Sequence, residues 1–274
     1  MRAPRVKLPL ERTVRLTDPE DWPRYCARAM ANDRRAFDPV SGFPDTSRPR
    51  PLPAARPLDG LRIDLGQGRE LIVTALYVDL RDSTRLAAGR LPFDAIFIVD
   101  RYIQATTAAI LAHGGHVTSV AGDGIMSVFG IEGDDSSGAH GAVLAAEAVW
   151  QAIDQISDDL AAEIASPLRF GIGIHKGPAV VGPIGLSDRT SLQFLGDTGN
   201  TAARLESLTK EMNCTAIISI DTLTAAGRPR PDWRRADVDI RGRDSLVSVF
   251  LIEDRDQLAA IRSLAATGRM IEPA

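Results

Sequence analysis

HGGHVTSVAGDGIMSVFG, residues 113–130, is the stretch that decides the fold. Its adjacent glycines, Gly114 and Gly115, end whatever helix precedes them, because glycine enters left-handed backbone without a Cβ clash. Two short runs rich in apolar and β-branched residues then flank Gly122-Asp123-Gly124, the composition of a tight hairpin. Working back, the helix that stops at the glycines starts near Pro92, a first-turn position where the missing N–H is no loss. Before it, LIVTALYVDL (71–80) is apolar and β-branched throughout, as in a strand buried on both faces.

Working forward, AHGAVLAAEAVWQAIDQI (139–156) has helical spacing and strong helix formers. LRFGIGIHKG (168–177), PAVVGPIG (178–185) and SLQFLG (191–196) read as strands. TGNTAARLESLTKEM (198–212) reads as a helix, TAIISI (215–220) as a strand and VDIRGRDSLVSVFLI (238–252) as a closing hairpin. Hairpins separated by helices predict an α+β domain, ferredoxin-like or palm-like, with helices against one face of a largely antiparallel sheet. The expected boundaries are an N-terminal extension with a proline-rich linker (1–69), the main domain (70–254) and a C-terminal helix or tail (255–274). Within the extension, 18–37 can form a short helix, and the prolines of 39–57 enforce an extended segment.

The chain has 274 residues, 44% hydrophobic and 25% charged, with a net charge of −4. That is enough apolar content for a packed core, and the acidic balance argues against nucleic acid or anionic lipid as a partner. Aromatic residues make up 5%, too few for an RNA-stacking platform. Cys26 and Cys214 lack metal-ligand spacing and read as free thiols. No apolar run is read as a membrane span, and MRAPRVKLPLERTV has no signal-peptide core, so a cytoplasmic protein is expected.

Asp79 ends the first strand and Asp123 sits in the hairpin. If these strands pair, both carboxylates project from one sheet edge. Hard cations such as Mg²⁺ take such oxygen ligands together with substrate phosphates. Each has a plainer reading, Asp79 as a cap and Asp123-Gly124 as an ordinary turn pair. Asn200 and Arg204 are four apart and share one helical face, which in isolation would be merely a solvated surface.

Four stretches together resemble the class III nucleotidyl cyclases. They are LYVDLRDST (76–84), HGGHVTSVAGDGIMSVFG (113–130), GIHKGPAVVG (173–182) and GDTGNTAARL (196–205), in the order that family carries them. The resemblance implies an enzyme that converts a nucleoside triphosphate to a 3′,5′-cyclic monophosphate and pyrophosphate. Asp79, Asp123 and the Leu80 carbonyl would hold two divalent cations, Mg²⁺ or Mn²⁺. Asn200 would orient the ribose and Arg204 would stabilise charge at phosphorus. Thr84, Lys176 and Arg243 would serve triphosphate binding, Arg243 standing where the family has a lysine. The metal ligands and the Asn/Arg pair would come from opposite subunits, so a homodimer with shared sites is implied.

The resemblance is incomplete at the base and beside it. Ser119 and Gln193 occupy the positions that read the base in the family, and neither matches its adenine or guanine pair. Pro178 replaces a family arginine. A serine and a rotatable amide suit several bases. ATP to cyclic AMP for signalling is therefore one expectation. A pyrimidine cyclase making cUMP or cCMP in anti-phage defence, and a degenerate nucleotide-binding or dimerising module, are the alternatives. His113, His116 and His175 read as structural.

Overall fold

A computed structural model gives the fold and describes residues 68–83, 92–132, 135–164, 166–186, 189–227, 232–243 and 245–266. The 18–37 segment, the proline-rich linker, Cys26 and Thr84 lie outside the described residues. In chain order the elements are β1 (Arg69–Leu80), α1 (Pro92–Ala112), β2 (His116–Ala121), β3 (Gly124–Phe129), α2 (Asp135–Asp159), β4 (Phe170–Leu186), β5 (Arg189–Leu195), α3 (Asp197–Glu211), β6 (Ala216–Ser219), α4 (Ile220–Ala226), β7 (Arg235–Val238), β8 (Val247–Ile252) and α5 (Arg255–Ala266).

Eight strands form one sheet in the order β2-β3-β1-β4-β6-β8-β7, with β5 paired to β4. Every pairing is antiparallel except β4 with β6. Inside the sheet, between β3 and β4, β1 pairs along its whole length with β4, from Arg69↔Val181 to Leu80↔Phe170. That position explains its largely apolar run: it has neighbours on both sides and packing on both faces.

Alternation along the strands divides the core. On β6, Ala216 and Ile218 join Ile98 and Tyr102 of α1, Val149 and Ile153 of α2, Leu223 of α4 and Leu258 of α5. Ile217, between them, faces the other way and joins Leu205 of α3. The α+β class and the antiparallel sheet agree with the sequence reading, but the helices flank both faces, not one. Among the described residues, the one helix on the second face is α3, which carries Asn200 and Arg204.

Glycines let α3 come close. Gly171, Gly173 and Gly177 share the α3 face of β4, and a methyl group at Gly173 would overlap the Ala202 carbonyl oxygen of α3. At the start of α3, Thr198 Oγ1 donates to the Pro178 carbonyl at 2.7 Å.

One helix meets the length and composition of a membrane span. Residues Asp94–Ala112 of α1 are long and apolar enough to cross a membrane, with a mean hydropathy of 1.3. Charges at Asp94, Asp100 and Arg101 interrupt the run, which hides it from a search for uninterrupted apolar sequence. In this fold Ile98, Tyr102 and Ile110 of the helix are buried in the core.

Candidate active site

The first group of site residues gathers where β1 ends beside the β2–β3 turn. Val78 pairs with Ile125 and Ala121 pairs with Gly124. The next step along β1 therefore brings Asp79 beside the turn that carries Asp123. The two corner residues of that turn are Gly122 and Asp123, with Gly122 at φ 65°, so glycine takes the left-handed position and leaves Asp123 in ordinary backbone. Gly124 is already in β3, where a side chain would overlap the Tyr77 hydroxyl.

Burial and the Asp123 charge push the Asp79 carboxyl up to about 6, and Asp123 also lies within hydrogen-bonding reach of it. The Leu80 N–H, donating to Asp79, works in the opposite direction. Two carboxylates held together this way repel each other, and a cation between them removes that repulsion. Their donors are hard oxygens, suited to Mg²⁺ or Mn²⁺. Among the described residues no group of three or more His, Cys, Asp or Glu is arranged to hold a metal ion. Ions here would thus take further ligands from backbone and substrate. The residues present fit that demand.

Sequence reasoning missed a third carboxylate. Glu206 of α3 is 8% exposed and is pushed up to about 7, first by burial and then by the Asp79 charge, with Arg81 pulling it back. A side chain on Gly171, the β4 residue opposite Asp79, would overlap Glu206. The signal lay in GIGIHKG: glycines at alternate positions mark a strand face that a helix approaches closely.

Arg81 ties the end of β1 to this layer. Its N–H donates to the Arg169 carbonyl at 2.7 Å. Its guanidinium donates to Thr209 Oγ1 at 2.8 Å and to the Cys214 carbonyl at 2.6 Å. Asp82, at φ 57°, is ion-paired with Arg169. The loop that follows Asp79 is therefore anchored at its first two residues.

Ser119, Gln193 and Asn200 line one cavity of about 230 Å³, together with Thr118, Met126 and Phe194; neither Asp79 nor Asp123 lines it. Arg204 follows Asn200 by one turn of α3, with its guanidinium near Gly242.

Two expected triphosphate contacts lie elsewhere. Arg243 donates to Asp197 at 2.8 Å and to Thr201 Oγ1 at 3.4 Å. It also lies 3.3 Å from His175 Nε2. To meet a phosphate it must exchange the Asp197 carboxylate for it. Burial, then the Arg243 charge, lowers His175 to about 4, so it is neutral. Lys176 pairs with Thr74 of β1. By strand alternation it belongs to the Ile172 and Ile174 face, opposite the face of Gly171 and Asp79.

Comparison with known proteins agrees with this fold. The adenylate and guanylate cyclase catalytic domain model matches residues 68–253. An adenylate cyclase of Anabaena cylindrica is 27% identical over 198 residues, covering 70% of this chain and 38% of the relative. Adenylate cyclase 1 of Rhizobium meliloti is 29% identical over 147 residues, covering 54% of this chain and 22% of the relative. The chain thus spans well under half the length of these relatives. The crystal structure of the guanylyl cyclase Cya2 superposes with a TM-score of 0.61 at 28% identity, over 68% of this chain and 94% of that one. The adenylyl cyclase CyaB from P. aeruginosa, at 22% identity and a TM-score of 0.59, shares the fold over 69% of this chain and 97% of its own. From the family match across the whole described sheet, the chain belongs to the adenylate and guanylate cyclase catalytic domain family.

Proposed function

We propose that the chain converts a nucleoside triphosphate, ATP foremost, to the 3′,5′-cyclic monophosphate and pyrophosphate, in sites shared between two copies. The observation that carries this reading is the Asp79–Asp123 pair, two carboxylates forced together at one sheet edge by the β1–β3 pairing. When bound to these carboxylates and the Leu80 carbonyl, two divalent cations would supply positive charge at the α-phosphate and lower the pKa of the ribose 3′-hydroxyl.

The chain's own residues supply position and charge. Asn200 offers an amide to the ribose from the wall of the nucleotide cavity. Arg204 brings a planar, permanently charged fork to the oxygens at phosphorus as the 3′-oxygen attacks and the bond to pyrophosphate breaks. Losing such a donor costs about 2.7–4 kcal/mol of barrier. Anchoring by Arg81 keeps the loop after Asp79 from drifting as substrate enters.

That neither Asp79 nor Asp123 lines the cavity that Asn200 lines supports the shared site. Each copy would contribute its carboxylates to one site and its Asn200–Arg204 pair to the other. The β4–β5 arm supplies an apolar surface for the partner: Val180, Ile184 and Leu195 are 46%, 47% and 61% exposed. The test mixes an Asp79→Ala chain with an Arg204→Ala chain, each inactive alone. About one working site per heterodimer is expected, and confirmed heterodimers without activity would refute the shared site.

A further inference from the structure

Arg243 leaves a tight turn with its backbone fixed and its side chain engaged. Its N–H donates to the Ile240 carbonyl at 3.0 Å, and Gly242, at φ 95°, supplies the left-handed corner that such a turn requires. The turn lies along α3. A side chain on Gly242 would come within 3.9 Å of the Arg204 guanidinium, while the Arg243 guanidinium meets Asp197 and Thr201 at the start of the same helix. The two arginines thus follow one another along α3, Arg204 for the oxygens at phosphorus and Arg243 for the phosphates beyond.

The contacts that hold Arg243 differ in strength. Asp197, at 2.8 Å, is a charge-assisted partner. Thr201 Oγ1 at 3.4 Å and His175 Nε2 at 3.3 Å are neutral and near the limit of hydrogen-bond length. Asp197 is therefore the principal holder, and its grip is open to exchange. The Arg243 and Asp197 side chains are 30% and 50% exposed, and both line a cavity of about 340 Å³ with Pro178, Gly196 and Thr198. Asp197 is not stranded when Arg243 leaves. It keeps solvent, the Thr201 hydroxyl that donates to it at 3.2 Å, and a first-turn position on α3 that favours negative charge.

We propose, on the basis of the cyclase reading above, that Asp197 is an internal competitor of the substrate: its carboxylate holds Arg243, yields it to the terminal phosphates of the nucleoside triphosphate, and takes it back as pyrophosphate leaves. A phosphate chain carries more charge and more acceptor oxygens than one carboxylate, so the exchange runs toward substrate. Asp197 thereby weakens the binding of triphosphate and pyrophosphate alike. A nucleoside monophosphate, which has no terminal phosphates, is unaffected. Asp197 is a positioning residue: it acts on the substrate only through Arg243.

The test uses the full chain as wild type, Asp197→Asn, Arg243→Ala and the double variant, with thermal melts to confirm that each folds. ATP, pyrophosphate and AMP are titrated with Mn²⁺ against a fluorescent ATP analogue, and KM, kcat and pyrophosphate inhibition are read from cyclic product. Asp197→Asn is expected to tighten ATP and pyrophosphate about fivefold, the worth of an open ion pair, and to leave AMP within about twofold. KM should fall by the same factor with no gain in kcat, because the released arginine grips ground state and transition state alike. In the Arg243→Ala background the substitution should change ATP binding by less than about twofold. ATP and pyrophosphate binding that is unchanged or weaker in Asp197→Asn overturns the assignment, and so does an equal gain for AMP or in the Arg243→Ala background. Cyclic product from wild type upholds the cyclase reading whichever way Asp197 falls. Displacement by ATP without product sinks that reading and leaves Asp197 to be judged on the binding ratios, while no displacement by ATP or pyrophosphate overturns both.

Discussion

Replacing Asp79 with asparagine should inactivate the protein and make its metal-free form more stable. The side chain keeps its shape and loses its charge. In the metal-free fold the Asp79 carboxyl stands at about 6 in place of 3.8, because it is buried against Asp123. Two units correspond to roughly 3 kcal/mol. Asp79 retains solvent contact, which screens the charge, so about 1.5 kcal/mol is the expected effect. The sign follows from the direction of the shift. A carboxyl raised on folding contributes its full stability below about pH 4 and loses it as pH rises through 6. Asp79→Asn should therefore melt about 3–6 °C above wild type at pH 8 in EDTA. The gap should close as pH falls toward 4.5, and adding Mn²⁺ should raise the wild-type melt alone. A variant that melts at or below wild type at pH 8 in EDTA would refute the reasoning, because the two carboxylates would then not oppose each other.

Glu206→Gln should behave in the same sense one layer deeper. Its carboxyl stands at about 7, so the variant should gain about 1–2 kcal/mol above pH 7.5 and nothing near pH 4.5, as followed by thermal melts across pH. Combined with Asp79→Asn, the gain should fall short of the sum, since each charge raises the other. Gly173→Ala should cost about 1–3 kcal/mol or more, because its methyl group meets the α3 backbone at Ala202 and Glu206. Activity should fall with it as α3 moves off the sheet, read as a lower urea midpoint and reduced product formation.

Much of the fold was legible because its punctuation is local. The Gly114-Gly115 stop, Pro92 and the Gly122-Asp123 turn bound elements that the structure reproduces within a few residues. Pro178 misled the reading of β4 as two strands. It falls between the partners β6 (through Ile174) and β5 (from Val180), where one side of β4 is open and the missing N–H costs no ladder bond. The α4 helix was missed because β-branched IDTLTAA has weak local preference, and burial of Leu223 against the core decides it. In the site, Asp79 and Asp123 could be found from strand ends and turns. Glu206 and Arg81 could not, since each acts through a contact between elements distant in sequence.

The most direct test of the central claim is a product analysis. Purified chain is incubated with Mn²⁺ and ATP, and the products are identified by mass, with Asp79→Asn in parallel. Cyclic AMP and pyrophosphate in equal amounts from wild type, and neither from the variant, is the expected result. ATP returned intact by folded, dimeric wild type, or cleaved to ADP or AMP with no cyclic product, would contradict it.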